Sequence, residues 1–297
     1  MKTEYLFRSC LFVPGHNERL LASAAKSPAD VLLLDLEDSV QPATNKRVAR
    51  DLIKDRVKQG DFAAHLVFPR VNDRESGFLL KDVSELTIDG IDGFMYPKSQ
   101  KGEDVYFFDK LLETIEAEKG IELGTFKIIP LIETTSAIMH LQEICSISKR
   151  VVAIAFGCED YITDLGGIHD KAGESIFTAR SLIAAAAKAN GIVPIDTVHI
   201  NIDDLDDLEE NLKLAKNLGF EGMLNLHPKE IELAHAYFSP SEEQVLAAKD
   251  MLRLYEESIG DDKGVAVVNG KFIGPPMVAT AKKTLKKNNL IQAKSIQ

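Results

Sequence analysis

The chain has 297 residues, 45% hydrophobic and 27% charged, with a formal net charge of -11 and an isoelectric point near 5.2. That is the composition of an ordinary globular protein, and it excludes the basic stripe with which a nucleic-acid binder meets phosphates. No run of about 18 apolar residues is available to span a membrane. Met1 to Ser9 lacks the apolar core of a signal peptide, so a cytoplasmic location is expected.

In chain order, an apolar strand is predicted over Tyr5 to Val13, closed by Pro14-Gly15, and Asn17 caps a helix to about Lys26. VLLLDLED, Val31 to Asp38, is a buried strand ending in carboxylates. A helix with a basic outer face follows over Ala43 to Lys58. His65 to Val71 is the third strand and Gly93 to Lys98 the fourth. Helices over Leu79 to Leu86 and Glu103 to Lys119 follow them. The fifth strand is Phe126 to Thr134, before a helix over Ser136 to Ser146. The sixth, Val151 to Phe156, stops abruptly at Gly157, Glu159 and Asp160. A helix over Phe177 to Asn190, a strand over Ile192 to Val198, a helix over Asp203 to Leu218 and a strand over Glu221 to Pro228 complete the alternation. Beyond it come a helix capped by Ser241, a glycine-rich stretch with an Asn269-Gly270 hairpin signal, and a basic helix over Ala279 to Lys287.

Eight apolar strands alternating with helices at roughly 30-residue spacing imply parallel strands with right-handed crossovers. The fold class is therefore α/β, a (β/α)8 TIM barrel over residues 1–238, with a C-terminal helical and hairpin arm over 239–297. The arm is too short for its own core and is expected to act as a lid or to reach a neighbouring subunit. An open doubly wound sheet fits less well, because no G-x-G-x-x-G follows the first strand.

In a barrel, chemistry sits at the C-terminal ends of the strands. Glu37, Asp38, Arg70, Lys98, Glu133, Asp160 and His227 all fall there. Glu133 and Asp160, on separate strands, have the donors to hold a hard cation such as Mg2+, with the remaining positions left to water and substrate oxygens. Asp35, Glu37 and Asp38 either orient the metal's waters or, for Asp35, meet a lysine in the core. Arg70 offers a planar fork to a substrate carboxylate or an enolate oxygen, with a structural salt bridge as the alternative. Lys98 is a Schiff-base candidate, but neighbouring carboxylates favour an ion pair. His227 reads as a base or as a hydrogen-bonded structural residue, and His16 as a loop cap or an acid. Cys10, Cys145 and Cys158 form neither a disulfide framework nor a zinc spacing. Arg8 begins the first strand, and its role stays open. A cation beside an arginine suits aldol or Claisen chemistry on a 2-oxo acid, although enolase-type and phosphotransfer reactions use the same parts.

Six blocks carry a resemblance: RSCLFVPG, LLLDLEDSV, FPRVN, PLIET, FGCEDY and LHP. Together they resemble the citrate lyase β-subunit-like branch of the HpcH/HpaI aldolase superfamily, close in kind to malyl-CoA and citramalyl-CoA lyases. The resemblance implies a trimeric or hexameric homo-oligomer. It implies Mg2+, or Mn2+ in its place, as cofactor, and CoA as part of a β-hydroxyacyl thioester substrate. By motif it implies Glu133 and Asp160 as metal ligands, with Glu133 also at the substrate. Arg70 falls on the substrate carboxylate, and Glu37 and Asp38 behind the metal waters. Arg8 with Pro14 and Gly15 falls on the substrate or CoA side. One departure stands out: the arm reads GKFIGPPMV, with Gly274 where an acyl-CoA-directed aspartate is expected. The resemblance also leaves open a subunit acting on a carrier-bound thioester, or a repurposed barrel.

Overall fold

The computed structural model describes residues 5–168, 170, 173–258, 266–268 and 271–294. The elements alternate from the start: β1 (Ser9–Pro14), α1 (Glu18–Ala24), β2 (Val31–Asp35), α2 (Asn45–Lys58), β3 (Leu66–Val67), α3 (Leu79–Leu86), β4 (Gly93–Tyr96) and α4 (Gly102–Lys119). They continue with β5 (Lys127–Ile132), α5 (Thr135–Met139), α6 (Leu141–Ser146), β6 (Ala153–Phe156), α7 (Cys158–Leu165), α8 (Glu174–Ala189), β7 (Val193–Asp196), α9 (Leu205–Leu218), β8 (Gly222–Asn225) and α10 (Ile231–Phe238).

The eight strands pair in parallel in the order β3-β2-β1-β8-β7-β6-β5-β4. Backbone bonds then close the ring between β3 and β4: Asp92 N–H donates to Val67 O at 3.0 Å, Met95 N–H to Pro69 O at 2.9 Å, and Val71 N–H to Met95 O at 3.2 Å. This is the (β/α)8 barrel. β2, β4 and β6 are buried along their whole length, as expected of strands walled by side chains inside and helices outside.

Several strands are shorter than their apolar runs. β1 begins at Ser9 and β2 stops at Asp35. β3 keeps two residues because Pro69 has no N–H for the ladder, although Arg70 still bridges Asp35 and Met95. Two eight-residue helices are additions, α10 and α7, and α7 is one that the apolar pattern does not announce. Gly157 stands at its N-cap and a left-handed Gly166 (φ 67°) ends it.

The backbone contacts divide the chain into two compact units, one of residues 7–235 and one that joins the residues through Leu6 to those from Ala236 onward. The latter holds α11 (Glu242–Ser258), an antiparallel hairpin of β9 (Ala266–Val268) and β10 (Lys271–Ile273), and α12 (Pro275–Lys294), with α11 packed on α12. Ser241 caps α11 reciprocally: Gln244 N–H donates to Ser241 Oγ at 3.2 Å and Ser241 N–H to Gln244 Oε1 at 3.0 Å. The Asn269-Gly270 turn lies outside the described residues. α12 exceeds the expected Ala279 to Lys287 at both ends. It opens with Pro275 and Pro276, where their missing N–H groups cost nothing, and Gly274 O accepts from Met277 N–H and Val278 N–H. Among the described residues no helix is long and apolar enough to cross a membrane.

Candidate active site

The site is built from the ends of β2 to β6. β2 stops at Asp35 because its buried carboxylate folds the next residues into a turn. It accepts from Glu37 N–H at 2.9 Å, Ser39 N–H at 3.0 Å and Ser39 Oγ–H at 2.5 Å. Lys46 Nζ donates to Leu36 O (2.8 Å) and Glu37 O (2.5 Å), and Asn72 Nδ2 donates to Leu36 O (3.0 Å). The turn therefore presents Glu37 and Asp38 from a fixed backbone.

Arg70 meets all three carboxylates of this segment. Its Nε and Nη2 grip Asp35 at 2.7 and 2.8 Å, while Nη1 lies 3.1 Å from Glu37 and 3.2 Å from Asp38. Its guanidinium carbon also sits 4.8 Å above the centre of the Phe12 ring. Burial works against the Asp35 charge, but the Arg70 pair outweighs it and holds the carboxyl below its ordinary value. Half of the arginine's fork is thus committed to the protein, and its Nη1 side faces the exposed Asp38.

Glu133 follows β5 and is 3% exposed. Its Oε2 accepts from Lys98 N–H at 2.7 Å. Lys98 is the one non-glycine residue with positive φ (52°) among those described. Its Nζ lies 3.2 Å from both Glu37 Oε1 and Asp73 Oδ2. Burial opposes its charge, yet those two carboxylates raise its pKa, so the ion pair prevails over a Schiff-base amine. On the other side of Glu133, a Cβ placed on Gly157 would come within 2.6 Å of Glu133 Cγ. The glycine is needed for space, since its φ of -96° suits any residue. Asp160 is exposed in the first turn of α7, near enough for its charge to act on Glu133.

Burial pushes Glu133 up to about 8, and the charges of Glu37 and Asp160 add to that. Burial likewise pushes Glu37 up to about 7, with Arg70 and Lys98 only partly offsetting it. Both Glu37 oxygens are buried at ion-pair distance, but without an aligned hydrogen bond. Buried carboxylates gathered this closely, with both Glu37 oxygens short of an aligned donor, leave a place for a positive charge. A divalent cation on Glu133 and Asp160 fits that place. Among the described residues no three His, Cys, Asp or Glu side chains group around an ion. Two carboxylates plus water and substrate oxygens is the donor set of Mg2+ rather than of zinc.

The structure does not bring Arg8 to this mouth. Its guanidinium closes on Asp30 through Nε (2.8 Å) and Nη2 (2.9 Å), just before β1 and at the opposite end of the strands. A place for it on the substrate or CoA side finds no geometric support, because its fork is spent at the closed end of the barrel. Pro14 and Gly15 do lie at the mouth, where Gly15 N–H donates to Asp35 O at 2.9 Å. His227 is a cap: its Nδ1 accepts from Lys229 N–H at 3.1 Å. His16 Nδ1 is buried without an aligned partner. The three cysteines are free and buried, and burial pushes Cys145 and Cys158 up to about 12, which excludes a resting thiolate. Asp73 and Lys46 escape the sequence reading, and Asn72 enters it only as the end of the FPRVN block, without a role. Asn72 and Asp73 are signalled only by their place directly after the FPR strand end.

Residues 8–228 match the HpcH/HpaI aldolase/citrate lyase family. The chain belongs to that family. It is accordingly a carbon–carbon lyase, and its relatives are named as such. The citrate lyase subunit beta of Leuconostoc mesenteroides subsp. cremoris is 30% identical, over 97% of this chain and 95% of its own. The L-malyl-CoA/beta-methylmalyl-CoA lyase of Rhodobacter capsulatus is 31% identical, over 90% of each. Among solved structures, the CitE protein of Mycobacterium tuberculosis in complex with magnesium, acetoacetate and coenzyme A is 25% identical with a TM-score of 0.71, covering 95% of this chain and 98% of that one.

Proposed function

We propose that this lyase cleaves a β-hydroxyacyl-CoA thioester of malyl-, citramalyl- or citryl-CoA type into a 2-oxo acid and an acyl-CoA, using Mg2+ held by Glu133 and Asp160. The observation that carries the reading is the convergence of buried Glu133 and Glu37 beside Arg70 at the strand ends, with Asp160 in the first turn of α7. The magnesium and coenzyme A of the related CitE complex support it.

In the cleavage the β-hydroxyl loses its proton as the bond between the β-carbon and its α-neighbour breaks. The β-carbon becomes the carbonyl carbon of the 2-oxo acid, and the electron pair passes to the carbon beside the thioester, which then takes up a proton. Bound Mg2+ would supply Lewis-acid attraction for the oxygens of the 2-oxo acid. Arg70, clamped in plane by Asp35, offers Nη1 to the substrate carboxylate, which displaces the exposed Asp38. Glu37, held between Arg70 and Lys98, orients the waters of the site. Gly274, at the start of α12, has no side chain to protonate the released acyl carbon, so that proton comes from another group or from water. The same reading makes the protein a homotrimer or hexamer, with residues 1–238 as catalytic unit and 239–297 as an arm.

A lyase assay across malyl-, citramalyl-, citryl- and β-methylmalyl-CoA, with Mg2+ and with EDTA, is expected to release a 2-oxo acid from one of them in a metal-dependent manner. Glu133→Gln and Asp160→Asn should each weaken Mg2+ binding in calorimetry by about tenfold or more and abolish turnover. Full turnover in EDTA, or in either variant, would remove the metal assignment. A second reading is favoured by the citrate lyase beta subunits, 30% and 33% identical over 97% and 95% of this chain. In that case the thioester sits on an acyl carrier, the CoA panel is silent, and a carrier and a transferase subunit co-purify.

A further inference from the structure

We propose that Lys98 is the positioning residue that ties the two buried carboxylates of the mouth together, its main-chain N–H fixing Glu133 and its ammonium fixing Glu37. The inference rests on the metal-dependent reading above and extends it to a residue outside the ligand set.

Lys98 follows the end of β4, a strand end anchored by Tyr96 stacked on Phe108 with ring centroids 4.3 Å apart. Its φ of 52° puts it in the left-handed region, which costs a residue with a Cβ. In that conformation its N–H lies 2.7 Å from Glu133 Oε2, so one oxygen of Glu133 is occupied by the backbone and its carboxylate plane is set. Glycine would adopt the same conformation with less strain and keep the N–H. The side chain must therefore account for lysine at this position. Its contacts are Glu37 Oε1 and Asp73 Oδ2, each at 3.2 Å. Asp73 is itself held by Glu75 N–H at 2.8 Å and Ser76 N–H at 3.0 Å. One residue thus joins the loop after β2, the loop after β3, the end of β4 and the end of β5.

The contact to Glu37 is one of charge rather than of an aligned hydrogen bond, since neither Glu37 oxygen has one. A different cation at the same place should therefore substitute, whereas a neutral side chain should not. Through Glu37 the ammonium also bears on Arg70, the other cation within 3.2 Å of that carboxylate. Removing it leaves Glu37 to pull on Arg70 alone and shifts the Nη1 group that meets the substrate.

The test compares Lys98→Gly, Lys98→Met and Lys98→Arg on the full-length protein, reading kcat, KM, melting temperature and Mg2+ affinity by calorimetry. Lys98→Gly is expected to melt within a few degrees of wild type, the relieved φ partly offsetting the lost ion pairs, and to keep its Mg2+ affinity within about threefold, since the N–H to Glu133 remains. Its kcat should fall about tenfold or more, as should that of Lys98→Met, while Lys98→Arg recovers to within about threefold of wild type. Where turnover is undetectable, oxalate binding to the Mg2+-loaded protein is read instead, with the same ratios. Retention of kcat within threefold by Lys98→Gly or Lys98→Met overturns the proposal, as does an equal loss in Lys98→Met and Lys98→Arg. Failure of the metal reading itself appears separately, as unchanged Mg2+ affinity in Glu133→Gln.

Discussion

Arg70 does two jobs with one guanidinium. Its Nε and Nη2 neutralise a carboxylate that is 1% exposed, and its Nη1 faces the mouth. From sequence, the fork reads as the substrate's, with a structural salt bridge as the alternative and a lysine as the partner of Asp35. Asp35, 35 positions earlier, gives no local sign that it will claim half of it. The consequence is testable. Lys at position 70 has no planar pair of donors, so Arg70→Lys should leave Asp35 partly uncompensated inside the protein. Breaking one partner of a buried pair costs about 3–5 kcal/mol, and keeping a charge reduces that to about half. We therefore expect Arg70→Lys to lower the melting temperature by several degrees as well as to lose most turnover, both measurable on the same preparation. Turnover loss with unchanged melting would return the whole fork to the substrate.

At the scale of elements, the proposed metal site depends on a close fit between two strand ends. β6 gives way to α7 at Gly157, and the space above that glycine is filled by the Glu133 side chain arriving from β5. Gly157→Ala leaves the helix start nearly as stable, since alanine for glycine at an N-cap costs on the order of 1 kcal/mol or less. The methyl group, however, meets Glu133, which cannot yield easily while Lys98 N–H holds its other side. We expect Mg2+ affinity to fall about tenfold with little change in far-ultraviolet circular dichroism; unchanged affinity would show that Glu133 has room to move. This packing also explains what the sequence could and could not show. The barrel was legible because each wall strand is a continuous apolar run that ends where polarity begins, and the mouth residues Glu37, Arg70, Glu133 and Asp160 are those terminal polar positions. α7 was not, because Tyr161 and Ile162 are its only large buried residues after Cys158 and read as a loop; the flanking Gly157 and Gly166 were the available signal. Arg8 misled because its position in the RSCLFVPG block says nothing of Asp30, which holds it at the far end of the strands.

For the whole molecule, the mouth is an acidic cluster inside a chain that already carries a net charge of -11, so the site opposes the fold until a cation arrives. The direction with pH follows from the two carboxyls. Burial raises Glu37 from 4.5 to about 7 and Glu133 from 4.5 to about 8. Between the ordinary value and these raised values the folded protein holds protons that the unfolded chain has released. Stability therefore falls as pH rises through that window, by on the order of a few kcal/mol for the metal-free protein. Mg2+ reverses the slope: it binds the deprotonated carboxylates and releases their protons, so its stabilisation grows as pH rises. Melting curves from pH 5 to about pH 8.5 should fall without metal and hold or climb with saturating Mg2+, the gap being widest at the alkaline end. Glu133→Gln, which cannot titrate there, should reduce the slope of the metal-free curve, leaving the part due to Glu37, and close most of the gap. Parallel curves with and without Mg2+ would mean that the ion binds away from the carboxylates that the barrel has gathered, and the assignment of Glu133 as its ligand would have to be given up.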